Sequence, residues 1–166
     1  MKLRNYIQGD AFAICTWIQD EKSLYQWSAD RIGIFPLSGA DLNYHYEEVM
    51  KSTRLIPLTA TDEKGEVVGH LFIRYPDPQD ESTVRLGFVI VNPAVRGCGN
   101  GKEMLRLTIA YAKETLHASK ITLGVFLNNE SARYCYEGAG FRSVGTIEKY
   151  ETPFGEWECM EMELLL

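Results

Sequence analysis

In LIPLTATDEKGEVVGHLFIRY, two runs of apolar and β-branched residues flank the polar stretch Asp62–Gly65, a pattern that predicts a hairpin. TVRLGFVIV follows as a further strand, ending at Asn92–Pro93 and completing a meander. From Gly101 the period changes. Met104, Leu105, Thr108, Ile109, Ala112 and Leu116 recur at helical spacing while Glu103, Arg106 and Lys113 fall on other faces, which predicts an amphipathic helix with one buried side. KITLGVFL reads as a strand, the segment from about Glu130 to Glu137 as a second helix, and GAGF as a turn. RSVGTIEKY and EWECMEMELLL flank Thr152–Gly155 as closing strands, and Met160, Met162 and Leu164 alternating with Glu161 and Glu163 predict one buried and one wet face. Nearer the amino terminus, LRNYI reads as a strand and DAFAICTWIQDE and DLNYHYEEVMKS as helices; Ser23 to Pro36 reads as helix or loop. The resulting order, β-α-α-β-β-β-α-β-α-β-β, predicts an α/β (α+β) fold with a mixed sheet. With no internal repeat or long linker, residues 1–166 read as one folding unit.

Between the meander and the amphipathic helix lies NPAVRGCGNGKEML, with Gly97, Gly99 and Gly101 in five residues. Glycines that open a helix leave backbone N–H groups bare at the positive end of its dipole, the chemistry of an anion cradle. Two phosphate motifs fail here. A G-x-G-x-x-G fingerprint would need glycine at Lys102 or Met104, and a P-loop would need glycine at Arg96 and a hydroxyl at Glu103. A glycine-rich turn that only caps the helix is the plain alternative.

A content of 45% hydrophobic and 24% charged residues excludes a disordered chain. The absence of a long apolar run and of an apolar leader in MKLRNYIQGDAF predicts a cytoplasmic protein without a membrane partner. A net charge of −6 with no basic stripe argues against nucleic acid. Cys15, Cys98, Cys135 and Cys159 lie far apart and His45, His70 and His117 show no ligand spacing, so no metal is expected.

Two segments together resemble the GCN5-related N-acetyltransferases, the GNAT superfamily. VIVNPAVRGCGNGKEML fits that family's strand, [QR]-x-x-G-x-[GA] loop and helix through Arg96, Gly99 and Gly101. NESARYCYEGAGF fits a second family segment through Asn129, Ala132, Tyr136, Gly140 and Phe141, with Cys135 in place of the usual leucine. The resemblance implies a mixed, mostly antiparallel central sheet flanked by helices, with acetyl-coenzyme A as cosubstrate. It implies that backbone groups of Gly97, Cys98, Gly99, Asn100, Gly101 and Lys102 hold the pyrophosphate, with Arg96 positioning the loop or adding charge. Lys102 reads equally as a solvated lysine. It further places Phe88, Val89, Ile90 and Val91 along the pantetheine arm on a splayed strand, with Asn129 and Ala132 opposite; Asn129 also reads as a helix cap. Tyr136 is the implied proton donor to the departing thiolate, or else a packed aromatic.

The sequence departs from many relatives where a glutamate is expected early in the strand before the loop; Arg85, Leu86 and Gly87 stand there. Glu21, Asp30, Glu148 and His70 remain as unranked candidates for a base. The expected activity is acetyl transfer to a primary amine of a small molecule or peptide amino terminus, the alternative being a non-catalytic acyl-coenzyme A-binding or regulatory domain; a homodimer is compatible with either. Acids outnumber bases in the segments Gly9–Thr53 and Gly145–Leu166, which predicts a cationic acceptor steered to an acidic rim, with Trp17, Tyr25, Trp27 and Phe35 shaping the site.

Overall fold

The computed structural model describes residues 1–166. Its elements are β1 (Lys2–Asn5), α1 (Asp10–Cys15), α2 (Glu21–Ser28), α3 (Gly39–Val49), β2 (Leu55–Thr61), β3 (Val67–Arg74), β4 (Thr83–Val91), α4 (Asn100–Glu114), β5 (Lys120–Phe126), α5 (Glu130–Gly138), β6 (Arg142–Thr152) and β7 (Gly155–Leu165). All strands form one sheet in the order β1-β2-β3-β4-β5-β7-β6. Only β4 and β5 run parallel. Both predicted hairpins are present, and the sheet is mixed and mostly antiparallel, as expected.

The undecided segment Ser23–Pro36 divides: α2 runs to Ser28 and a turn follows, so three helices precede β2 rather than two. A capping box decides where α2 begins. The Asp20 carboxylate accepts from the Ser23 N–H at 2.7 Å and the Ser23 hydroxyl accepts from the Asp20 N–H at 3.1 Å. Ser38 and Asp41 start α3 in the same way.

The sheet separates two apolar layers. Leu58, Leu71, Ile73, Val84, Leu86, Ile121 and Leu123 pack with Met104 and Leu105 of α4 on one side. Ile14, Leu24, Leu42 and Tyr46 from α1–α3 pack with Phe72, Phe88 and Ile90 on the other. Val84 and Leu86 therefore face one layer while Phe88 and Ile90, at the same even spacing, face the opposite one. A bulge causes the switch. Phe72 pairs with Gly87 and His70 with Ile90, leaving Phe88 and Val89 opposite Leu71 alone, and Phe88 takes a left-handed φ of 51°. Beside the bulge, β4 and β5 pair only from Thr83 to Arg85 against Lys120 to Thr122 and then separate.

A buried polar knot ties the amino terminus to this sheet. Asp10, 3% exposed, accepts two hydrogen bonds from Arg4 at 2.7 and 2.8 Å, one from the Ile7 N–H at 3.0 Å and one from the Thr59 hydroxyl at 2.7 Å. β1, α1 and β2 are thereby held in fixed relation, since an unpaired carboxylate at that depth would be costly.

Candidate active site

The glycine loop leaves β4 at Asn92, passes one turn of 3-10 helix at Pro93–Val95 and enters α4 through Gly99. Gly97 and Gly99 lie at φ 76° and 83°, in the left-handed region. The Arg96 Nε donates to the Val91 carbonyl at 3.0 Å, so the side chain braces the loop against its own strand. The Asn100 amide donates to the Val95 carbonyl at 2.9 Å and serves the loop's shape in the same way. No backbone or side-chain acceptor of the protein takes the N–H groups from Gly97 to Lys102; they are the free donors of a helix start. Gly101 answers a different need. A Cβ there would come within 3.2 Å of the Cys135 sulfur, so the bare backbone lets α4 begin against α5.

α5 carries the second motif. Asn129 caps it by accepting from the Ala132 N–H at 3.4 Å, the plain role foreseen for it. Tyr136 lies on the inward face of α5, 6% exposed, with its ring edge-on to Phe141 at 6.0 Å. Burial pushes its phenol well above the ordinary value, so the hydroxyl stays protonated at neutral pH. That hydroxyl makes no hydrogen bond within the protein and borders open space. Tyr134 points away and is exposed.

Where β4 and β5 part, two cavities open. The outer one, about 610 Å³, is bordered by the glycine loop, Lys102, Val89, Ile90, Val91, Trp17, Asp20 and α5. The inner one, about 100 Å³, lies deeper in the fork between Leu86–Val89 and Leu123–Phe126. Gln26, Trp27, Val89, Asn129, Ala132 and Tyr136 border both, so the cavities meet beside the tyrosine. Most sequence-predicted residues are thus gathered on one cleft. Cys98 and Asn100 belong to the loop without lining it, and Phe88 borders the inner cavity only, its ring packed 4.9 Å from both Trp27 and Phe72.

Trp27 is more than a wall. Its indole Nε1 is buried without a hydrogen-bond partner in the protein. Gln26 beside it donates to the Asn128 side chain at 3.0 Å and pins α2 to the β5–α5 loop. Gln26 carried no readable signal in the sequence because it lies in the segment whose period was ambiguous. Of the other aromatics expected at the site, Tyr25 packs among Phe126, Phe154 and Trp157, and Phe35 lies in the exposed turn after α2.

Arg85 stands in the strand position where a carboxylate was sought, and β7 supplies one to it. Its guanidinium binds Glu161 in a bidentate pair at 2.6 and 2.7 Å. Gly124 of β5 makes room, since a Cβ there would sit 3.0 Å from both partners. Among the four base candidates, His70 is removed by its setting. It is fully buried, shares a 2.5 Å hydrogen bond with the Tyr46 hydroxyl, and borders neither cavity; burial lowers it to about 3, so it is neutral. Glu21 and Asp30 also border neither cavity. Glu148 is joined to the inner one through Tyr150, whose hydroxyl donates to it at 2.8 Å. Part of the acidic rim is spent on structure: Asp10 is knotted to Arg4, Asp20 and Asp41 belong to capping boxes, and Glu48, Glu156 and Glu161 are ion-paired.

Comparison with known proteins accords with this geometry. Over 90 residues the chain is 26% identical to an N-acetyltransferase 9-like protein of Nematostella vectensis and 33% identical to an N-acetylaspartate synthetase of Danio rerio, covering 54% of this chain and 46% and 31% of those proteins. It thus spans less than half the length of the curated relatives it matches. Among solved structures, the spermidine N-acetyltransferase of Vibrio cholerae in complex with CoA and spermine superposes with a TM-score of 0.80 at 18% identity, over 99% of this chain and 94% of that one. A spermidine N-acetyltransferase chimera of the Vibrio cholerae and hSSAT sequences gives 0.79 at 19%, over 99% and 96%. At such identities the likeness is one of fold. The profile of the acetyltransferase (GNAT) family matches residues 14–141, from α1 through the glycine loop to the end of the second motif, and the chain belongs to that family.

Proposed function

We propose that the protein transfers an acetyl group from acetyl-coenzyme A to the primary amine of a small molecule or peptide amino terminus, by direct attack with both substrates bound. The observation that carries this reading is the meeting of two cavities beside the protonated Tyr136. The loop from Gly97 to Lys102 would hold the pyrophosphate through its free N–H groups, and the unpaired edge of β4 from Val89 to Val91 would take the pantetheine arm. The coenzyme supplies an activated acyl thioester, so no covalent protein intermediate is needed. Tyr136 holds at its hydroxyl the proton a departing thiolate requires. Tyr150 and Glu148 form a route for the proton leaving the amine.

The relatives' names, one for N-acetylaspartate and others for spermidine, leave the acceptor's chemistry open. Coenzyme A release over an amine panel tests the reading. Release that depends on the amine supports it, and coenzyme binding without turnover on any amine replaces it with a non-catalytic acyl-coenzyme A-binding domain. That second reading has Arg85, in the place of a carboxylate, in its favour.

A further inference from the structure

The charged side chains bordering the inner cavity are Arg31 and Arg85, with no carboxylate among its walls. Behind Arg85 stands a second guanidinium. Arg74 of β3 is its direct cross-strand partner, and like charges so paired destabilise a sheet unless an anion compensates them. Glu161 compensates one of the two, with both of its oxygens taken by Arg85. Arg74 is half-buried and has no ion-pair or hydrogen-bond partner; burial, then Arg85 and Arg31, weaken its hold on its proton, and Glu161 offsets them in part. Arg31, in the turn after α2, is exposed and also unpartnered, and it lies near enough to Tyr150 and Cys159 to act on them electrostatically. The acids near this end are Glu161, already bound, Glu148, hydrogen-bonded to Tyr150, and the exposed Asp30 beside Arg31 in the same turn.

We infer that the inner cavity recognises a carboxylate on the acceptor, bound by Arg31 at the cavity mouth, so that the substrate is a small amino acid-like amine and not a polyamine. This rests on the transferase reading above, whose acceptor it names. A polyamine would bring two or more positive charges to a cavity whose one unpaired bordering charge is the Arg31 guanidinium. A zwitterion satisfies both ends: its carboxylate meets the free fork of Arg31 and its ammonium faces Glu148 and Tyr150, where it must lose a proton before attack. The cavity's volume of about 100 Å³ suits a compact acceptor.

The test compares free amino acids with their carboxamides and with spermidine, following coenzyme A release from acetyl-coenzyme A. Loss of a charge-assisted hydrogen bond is worth about 10- to 100-fold in affinity, so kcat/KM for the acids should exceed that for the amides by this factor. Arg31→Gln should abolish the preference by raising KM for the acids with kcat little moved, and Arg31→Lys should keep part of it. Amides or spermidine serving as well as the acids would overturn the inference, as would an Arg31→Gln variant that slows acids and amides alike. Tryptophan fluorescence with coenzyme A and N-acetyl amino acids separates the two levels. Binding that Arg31→Gln weakens, in a protein that turns over no amine, would end the transferase reading and leave carboxylate recognition standing; no such binding and no turnover would end both.

Discussion

At Gly99 an added methyl would touch nothing of the protein, yet the backbone sits at φ 83°. The requirement is conformational, and a β-branched residue would pull the loop out of the left-handed region at a cost of about 1–3 kcal/mol. Gly99→Val should therefore fold, with a slightly lower Tm, while coenzyme A affinity measured by calorimetry falls at least about tenfold. Unchanged affinity in the folded variant would remove the phosphate cradle from the account. Tyr136 makes a separable prediction: Tyr136→Phe deletes only the unpaired hydroxyl, so coenzyme binding should persist while turnover drops about 10²-fold. Stopped-flow and calorimetry on one preparation decide it, and turnover at the original rate would reduce Tyr136 to a packing residue. Asp10 predicts a pH effect on stability. Burial alone would raise its pKa, but Arg4, the Ile7 N–H and the Thr59 hydroxyl outweigh that and hold it below the ordinary carboxylate value. A lowered folded-state pKa contributes stability above the unfolded-state pKa and loses it as pH falls through the folded-state value. Urea midpoints should thus decline with acidification below about pH 4, near the ordinary Asp pKa, and Asp10→Asn should flatten that decline.

On the scale of elements, what was legible in the sequence was contiguous. The glycine loop, the stripe of α4 and the Asn129-to-Phe141 segment each carry their meaning within about fifteen residues, and α4 and α5 stand where their periodicity placed them. The acceptor side was illegible because it is assembled across register. Arg85 meets Glu161 only because β5 lies between β4 and β7 with Gly124 opposite Glu161, and Arg31 joins them from a turn that periodicity left undecided. Counting acids by segment has the same limit, since it does not show which of them are helix caps or ion-pair partners. Gly87 shows how tightly this fork is set. A Cβ there would lie 2.1 Å from the Phe72 ring, so Gly87→Ala should cost about 1–3 kcal/mol through overpacking and narrow the inner cavity. A Tm equal to that of the unaltered protein would mean the ring can move aside, and the fork would then be softer than its packing implies.

For the whole molecule, the outer cavity draws its walls from both layers: Trp17, Asp20 and Trp27 belong to the α1–α2 side, and Met104, Leu105 and Tyr136 to the α4–α5 side. A ligand there bridges elements that otherwise meet through the sheet and through the Gln26–Asn128 hydrogen bond. Coenzyme A at a hundred times its dissociation constant should raise unfolding free energy by about 2.7 kcal/mol, with the shift in Tm saturating as the cleft fills. Hydrogen exchange should slow in α2 and α5 together; slowing confined to the glycine loop would show that the two sides respond separately. The bulge at Phe88 bears on how such a chain can change over time. It acts on β4 as a frameshift acts on a message: upstream the even residues face α4, downstream they face α3, and one surplus residue separates the two readings. Substitutions on either side can be exchanged freely within their own reading, but losing a residue elsewhere in the strand while the bulge is kept would turn a stretch of side chains toward the wrong layer, and losing the surplus residue itself would restore plain alternation and remove the break beside which β4 leaves β5. Lineages of this fold can therefore vary the strand by letter far more readily than by length.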